Sequence, residues 1–176
     1  MPVLQRVCAH HAVALLEFEV DNRTYFAAHI SDRGDEFFDR FSERFDALLV
    51  LPETGQDAYH VLVDTDGSIL GRFNLVDIDD GSAELGYRVA ERAAGHGVAT
   101  AAVADVCRIA ATELGLRTLR ARTTDENVAS RRVLAKAGFV AVGEADVAGR
   151  PGTRFERTLP RSDRAGRGRE RPSAGR

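Results

Sequence analysis

"RAAGHGVAT", residues 92–100, sets glycines at 95 and 97 between a strand-like stretch and a long alanine-rich one. Without a Cβ, glycine lets the backbone turn so that several amide N–H groups approach one point. A helix beginning near Val98 adds the positive end of its dipole at the same place. Together they make an anion site, best suited to phosphate and most naturally to a pyrophosphate. Neither familiar nucleotide loop is satisfied. A P-loop requires Lys and then Ser or Thr after its last glycine, where "GVAT" stands, and a dinucleotide fold requires a third glycine behind a parallel strand. At this point a glycine-rich turn with no ligand is the plainer alternative.

Downstream, Val98, Ala102, Val103, Val106, Ile109, Ala110 and Leu114 recur on one helical face, and Gly115 stands at a cap position. "LRTLRART", 116–123, alternates as a strand does, and a helix between two strands implies a parallel pair with a right-handed crossover. Asp125 or Asn127 starts another helix that runs to Ala137 and stops at Gly138, after which "FVAVGE" and "TRFERTL" form a final antiparallel pair. Upstream, "AYHVLVDTDGSILGRFNLVDI" holds two β-prone runs around the hairpin signal Asp66-Gly67, and the turn "DDGS" leads into "AELGYRVA". Three strands joined by tight turns predict an antiparallel meander. Residues 10–21 and 35–51 read as helices, the second from Phe37, Phe38, Phe41, Phe45, Leu48 and Leu49 at three- and four-residue steps. Between them "NRTYFAAHISDRG" reads as a loop or broken helix. The fold class is α+β.

The 176 residues, 44% hydrophobic, suffice for one domain with a core, expected over 1–160. The last 16 residues hold six arginines and two acids, a net +4, so the first 160 carry −7 of the total −3. That tail lacks large apolar residues and is expected to be disordered. An acidic body suits an amine-bearing partner better than nucleic acid, which only the tail would attract. No apolar run is long enough for a membrane span, and the N-terminus reads as a cytoplasmic protein's rather than a signal peptide. Cys107 reads as a small buried side chain. "CAHH", 8–11, offers metal-ligand types but no second cluster, so no metal is expected.

The stretch "LGYRVAERAAGHGVATAAVADVCRIAATELGLRTLRARTTDENVASRRVLAKAGF", 85–139, resembles the acetyl-CoA-binding half of the GNAT superfamily of N-acetyltransferases. Arg92, Gly95 and Gly97 match the family's loop pattern, and Asn127, Ser130, Gly138 and Phe139 match its later Asn-x-x-Ser segment ending in Gly-Phe. The similarity is good over 58–159. It is looser over 3–57, where the chain is similar to the ribosomal-protein-alanine N-acetyltransferase branch.

The resemblance implies a mixed, mostly antiparallel sheet, splayed at its one parallel strand pair, with helices on both faces. It implies acetyl-CoA as cofactor: Leu85, Gly86, Tyr87, Arg88 and Val89 as the strand beside pantetheine, and the amides of Gly95, His96, Gly97, Val98 and Ala99 for pyrophosphate, with Arg92, Asn127 and Ser130 assisting. Amine acetylation needs a proton acceptor, for which Glu84, at the start of the splayed strand, is the first candidate, ahead of Asp77 and Asp79. The family's acidic tyrosine is replaced by Leu134, which leaves Ser130 to hydrogen-bond the departing sulfur. Arg23, Tyr25, Phe26 and Asn74 are the acceptor-side candidates. The implied activity is acetyl transfer to a primary amine, foremost a protein or peptide N-terminus, by a monomer or homodimer. An aminoglycoside, polyamine or amino acid acceptor, or a non-catalytic acyl-CoA-binding domain, are the alternatives.

Overall fold

The computed structural model describes residues 1–50 and 55–160, so the arginine-rich tail and the end of the helix expected over 35–51 lie outside the described residues. Seven strands form one sheet: β1 (Val3–Arg6), β2 (Ala58–Val63), β3 (Ile69–Asp79), β4 (Ser82–Val89), β5 (Thr118–Thr124), β6 (Val140–Val147) and β7 (Arg150–Thr158), in the order β1-β2-β3-β4-β5-β7-β6. The helices are α1 (Ala12–Asp21), α2 (Arg23–Ala27), α3 (Asp35–Asp39), α4 (Phe41–Val50), α5 (Val98–Thr112) and α6 (Val128–Lys136). The meander, the crossover helix and the last antiparallel pair stand as the periodicities predict.

Two elements differ from the sequence reading. β1 is only four residues, too short for alternation to register, and exists because it pairs with β2 from Val3↔Val63 to Arg6↔His60. The phenylalanine-rich helix is two pieces, interrupted at Arg40 (φ −106°, ψ 22°). The four-residue step of Phe37, Phe41 and Phe45 survives the break, with successive ring centroids 5.9 Å apart, because packing holds the stripe rather than an unbroken helix.

At β2 and the first half of β3 the sheet is buried on both faces, which is why these stretches are almost continuously apolar, whereas β6 at the edge is mostly exposed. Phe73, Leu75, Leu85 and Leu119 cluster with Val103 and Val106 of α5 and Leu134 of α6, whereas Val61 and Ile69 cluster with Leu15, Phe18, Phe41 and Phe45 of the N-terminal helices. Alternation along β4 therefore sends Leu85 and Tyr87 toward α5 and α6, and Glu84, Gly86 and Arg88 toward the other side. Asn22, buried at the α1–α2 junction, accepts from the Glu91 N–H at 2.9 Å and fastens the N-terminal helices to the segment before α5.

Candidate active site

β4 and β5 pair in parallel only at Ser82↔Thr118, Ala83↔Leu119 and Glu84↔Arg120, yet β4 continues to Val89 and β5 to Thr124. Beyond Glu84 each strand keeps its outer partner, β3 or β7, and the two inner edges diverge. The result is a wedge whose backbone polar groups need a partner from outside the sheet. An extended chain carrying amides would complete them as a guest strand completes a sheet edge.

The glycine loop closes the wide end. Gly95 and Gly97 both have φ of 78°, a conformation that penalises any Cβ, and a Cβ on either would meet nothing within 4 Å. Gly97 caps α5 without any side-chain hydrogen bond, and the helix's first internal bond runs from the Ala101 N–H to the Gly97 carbonyl. The preceding first-turn amides thus have no partner within the helix, and the dipole favours an anion before them. A cavity of about 380 Å³ runs from this loop into the wedge, lined by Gly95, Gly97, Ala99, Tyr87, Val89 and Ser130 among others. Arg132 and Lys136, one turn apart on α6, also line it, and among the described residues no Asp or Glu does. His96 and Val98 contribute no lining, and the Arg92 guanidinium turns away to donate to Ser68 Oγ at 2.6 Å. These elements suit a linear, amide-bearing chain ending in phosphate.

Two hydroxyls meet inside the wedge. Tyr87 Oη lies 3.0 Å from Ser130 Oγ, and Ser130 is held by its N–H donating to Asn127 Oδ1, the side chain that caps α6. Burial pushes the Tyr87 phenol up to about 12, so it remains a neutral donor at physiological pH. The sequence reading used only the Tyr87 backbone. Its hydroxyl, brought across from β4, stands opposite the helix where Leu134, buried in the core, leaves none.

A second cavity, about 270 Å³, opens beside the segment that follows α2 and shares His29, Ile30, Tyr87, Arg88, Asn127 and Ser130 with the first. Asn74, Leu85 and Gly86 line it, whereas Tyr25 and Phe26 line the first cavity beside the glycine loop. Arg23 lines neither, being engaged by Asp32 at 2.6 Å and Asp35 at 2.8 Å. Glu84 sits at the last paired register of the wedge, its Oε1 accepting from Arg122 Nε at 2.9 Å; Arg122, but not Glu84, lines the second cavity. Asp77, at φ 53°, occupies the irregularity between β3 and β4, and Asp79 pairs with Ser82 at the turn.

Contrary to an amine-attracting acidic site, this second cavity is lined by Arg33, Arg72, Arg88 and Arg122 and by no Asp or Glu among the described residues. Net charge is a property of the whole surface and says nothing of one cavity. Behind the arginines lies Glu19, 1% exposed, with carboxylate oxygens 2.9 Å from Arg88, 3.4 Å from Arg72 and 3.6 Å from Arg33. One local signal marks this cluster: Glu19 in "LLEFEV" and Arg72 in "ILGRFNLV" are charges within apolar runs, and buried charges are paired.

Elsewhere, donor atoms of Cys8, His10 and His11 lie within 4.8 Å of one another. His11 Nδ1 accepts from the Cys8 N–H at 3.1 Å, which leaves its Nε2 to donate to Gln5 Oε1 at 3.2 Å, so both ring nitrogens already brace the turn into α1. Cys107 is buried, and burial pushes its thiol up, as befits a core side chain. Among the described residues no helix is long and apolar enough to cross a membrane.

Several solved structures share this fold. The ribosomal-protein-S5-alanine acetyltransferase from Vibrio fischeri superposes with a TM-score of 0.82 at 23% identity, covering 88% of this chain and 91% of that one. RimJ of Mycobacterium smegmatis, in complex with CoA-disulfide, gives 0.78 at 25% identity over 88% and 80%. The spermidine N-acetyltransferase of Vibrio cholerae, in complex with CoA and spermine, gives 0.75 at 17% identity over 90% and 95%. No curated protein sequence matches. Residues 3–140, most of the chain, match the acetyltransferase (GNAT) domain, and with the splayed parallel pair and the glycine-capped helix this makes the protein a member of the GNAT family of acetyltransferases.

Proposed function

We propose that the protein transfers an acetyl group from acetyl-CoA to a primary amine, with a protein or peptide N-terminus as acceptor. The observation that carries this reading is the unpaired wedge ending in the bare glycine loop, a backbone site for a pantetheine arm and its pyrophosphate. Two of the structural neighbours, RimJ and the spermidine enzyme, hold coenzyme A, which supports the same cofactor here. Two neighbours act on different amines, a ribosomal protein's alanine and spermidine, so the acceptor rests on this chain's own residues.

Acetyl-CoA supplies an activated acyl carbon and, once the amine has added, a thiolate to be released. In the proposed arrangement Leu85–Val89 and the amides of residues 95–99 hold the cofactor, and an N–H on the free edge of β4 faces the carbonyl oxygen as a preorganised donor. Glu84, at the apex of the wedge, takes the proton of the incoming amine through water, exchanging its contact with Arg122. The Tyr87–Ser130 hydroxyl pair donates toward the sulfur from the α6 side. A thiol pKa near ~8.5 keeps the demand on that donor small.

Thiol release from acetyl-CoA, measured against peptides with different first residues, free amino acids, polyamines and aminoglycosides, tests the activity. Glu84→Gln is expected to lower turnover while calorimetric affinity for coenzyme A is unchanged. Equal turnover in the variant removes Glu84 from the mechanism, and absence of coenzyme A binding by the folded wild-type protein removes the whole reading.

A further inference from the structure

The acceptor-side cavity carries more positive charge than its surroundings balance. Arg33, Arg72 and Arg88 share the single carboxylate of Glu19, and the nearby Asp32 and Asp35 are turned onto Arg23 instead. Arg122 answers to Glu84. The three clustered guanidinia therefore hold two charges in excess. Each offers five N–H donors, and Glu19 with Asn74, which accepts from Arg72 Nε at 3.2 Å, engages only a few of them.

The cluster is also costly to build. Arg72 and Arg88 are direct cross-strand partners on β3 and β4, and like charges placed opposite one another destabilise a sheet. Arg72 is 7% exposed and its charge is disfavoured by desolvation; burial likewise pushes the Arg88 guanidinium down to about 10, with Arg33 and Arg72 adding to the effect against Glu19. Each lies over an aromatic face: Arg33 4.3 Å from the Phe37 centroid, Arg88 5.1 Å from that of Phe26 and Arg72 6.0 Å from that of Tyr59. A fold that retains such an arrangement beside the place of reaction has a use for it.

We propose that Arg33, Arg72 and Arg88 form a carboxylate seat, so that the acceptor is an amine bearing an anionic group near its reacting nitrogen rather than a polyamine. This deepens the N-acetyltransferase reading and rests on it. The carboxylate comes either from the α-carboxyl of a free amino acid or from an acidic side chain close behind a peptide N-terminus; the chemistry of recognition is the same. Bidentate pairing of guanidinium with carboxylate orients the amine toward the wedge. The positive surroundings also favour the neutral amine over its ammonium, which lightens the work of the base.

Calorimetry on the full chain loaded with coenzyme A tests the seat without turnover. The titrants are C-terminally amidated Ala-Asp-Ala, Ala-Ala-Ala and Ala-Lys-Ala, free alanine, and spermidine. The acidic peptide or free alanine is expected to bind about 10- to 100-fold more tightly than the lysine peptide, the range of charge-assisted hydrogen bonds. Which of the two does so identifies the source of the carboxylate. Arg33→Glu, on the 29% exposed side chain, is expected to abolish that preference while coenzyme A affinity holds, with Arg33→Gln as a milder second variant. Equal binding of acidic and basic titrants, or tighter binding of spermidine, overturns the seat whether or not any acceptor is acetylated. A carboxylate preference with no acetylation of any titrant upholds the seat and removes the acyl-transfer reading instead.

Discussion

The two cavities that meet at Tyr87, Arg88 and Ser130 achieve a positive potential mainly by different means. On the α5 side it comes chiefly from unpaired backbone N–H groups at a glycine-capped helix, supplemented by Arg132, Lys136 and Arg88, the last shared by both cavities. In the second cavity it comes from guanidinia carried by β3, β4, β5 and a loop, three of them held by the buried carboxylate of Glu19 and Arg122 by Glu84. A backbone site depends on dihedral angles and tolerates changes in surrounding side chains. A side-chain site depends on every partner in the network, and removing one leaves the others charged and unanswered.

The harshest way to break the contrast is Glu19→Ala. It strips the buried guanidinia of their counter-charge and is expected to cost about 3–5 kcal/mol in urea denaturation. A loss below ~1 kcal/mol shows that water already serves Arg72 and Arg88. Next comes Gly97→Val, which forces a β-branched residue into the left-handed region at the cap of α5. Coenzyme A affinity by calorimetry is expected to fall about 5- to 30-fold, from roughly 1–2 kcal/mol of strain. Unchanged affinity means that the loop amides do not hold the pyrophosphate.

Tyr87→Phe sharpens the junction between the cavities. Its turnover is expected to drop about tenfold with cofactor affinity preserved, and combining it with Ser130→Ala adds little further, since groups acting as one unit are non-additive. Multiplying effects would separate the two hydroxyls. The smallest effect concerns pH. His60, buried with Nδ1 unpartnered, has its pKa lowered by desolvation and then by Arg6, and His11 is lowered by desolvation and then by His10. Because the fold favours their neutral forms, this stability is complete above the unfolded value near 6.5 and is lost as pH falls toward the folded values. In melts between pH 7.5 and 5, His60→Gln is expected to flatten the decline, leaving the share due to His11. A decline as steep as that of the wild type clears His60 of any part in it.

Legibility followed the same division. The glycine loop, the crossover helix capped by Gly97, the hairpin at Asp66-Gly67 and the Asn127 cap of α6 are local, and each was readable within about ten residues. β1 was not, because a four-residue strand is defined by its partner; nor was the interruption at Arg40, because the phenylalanine stripe reads the same across a broken helix. That Arg23 is paired with Asp32 and Asp35 is likewise a matter of tertiary contact. Tyr87 and Ser130, 43 residues apart, meet only through the crossover.

By itself the sequence determined a mixed sheet with one parallel pair and a phosphate-suited helix start, since these follow from short-range dihedral preference and periodicity, and its loop and Asn-x-x-Ser motifs carried the resemblance to an acetyl-transferring family. The tertiary structure alone decided that the second cavity is cationic in an acidic protein. Arg33, Arg72, Arg88 and Glu19 lie far apart along the chain, and only the pairing of strands and the packing of α1 bring their charges within a few ångströms, where Coulomb energy becomes large.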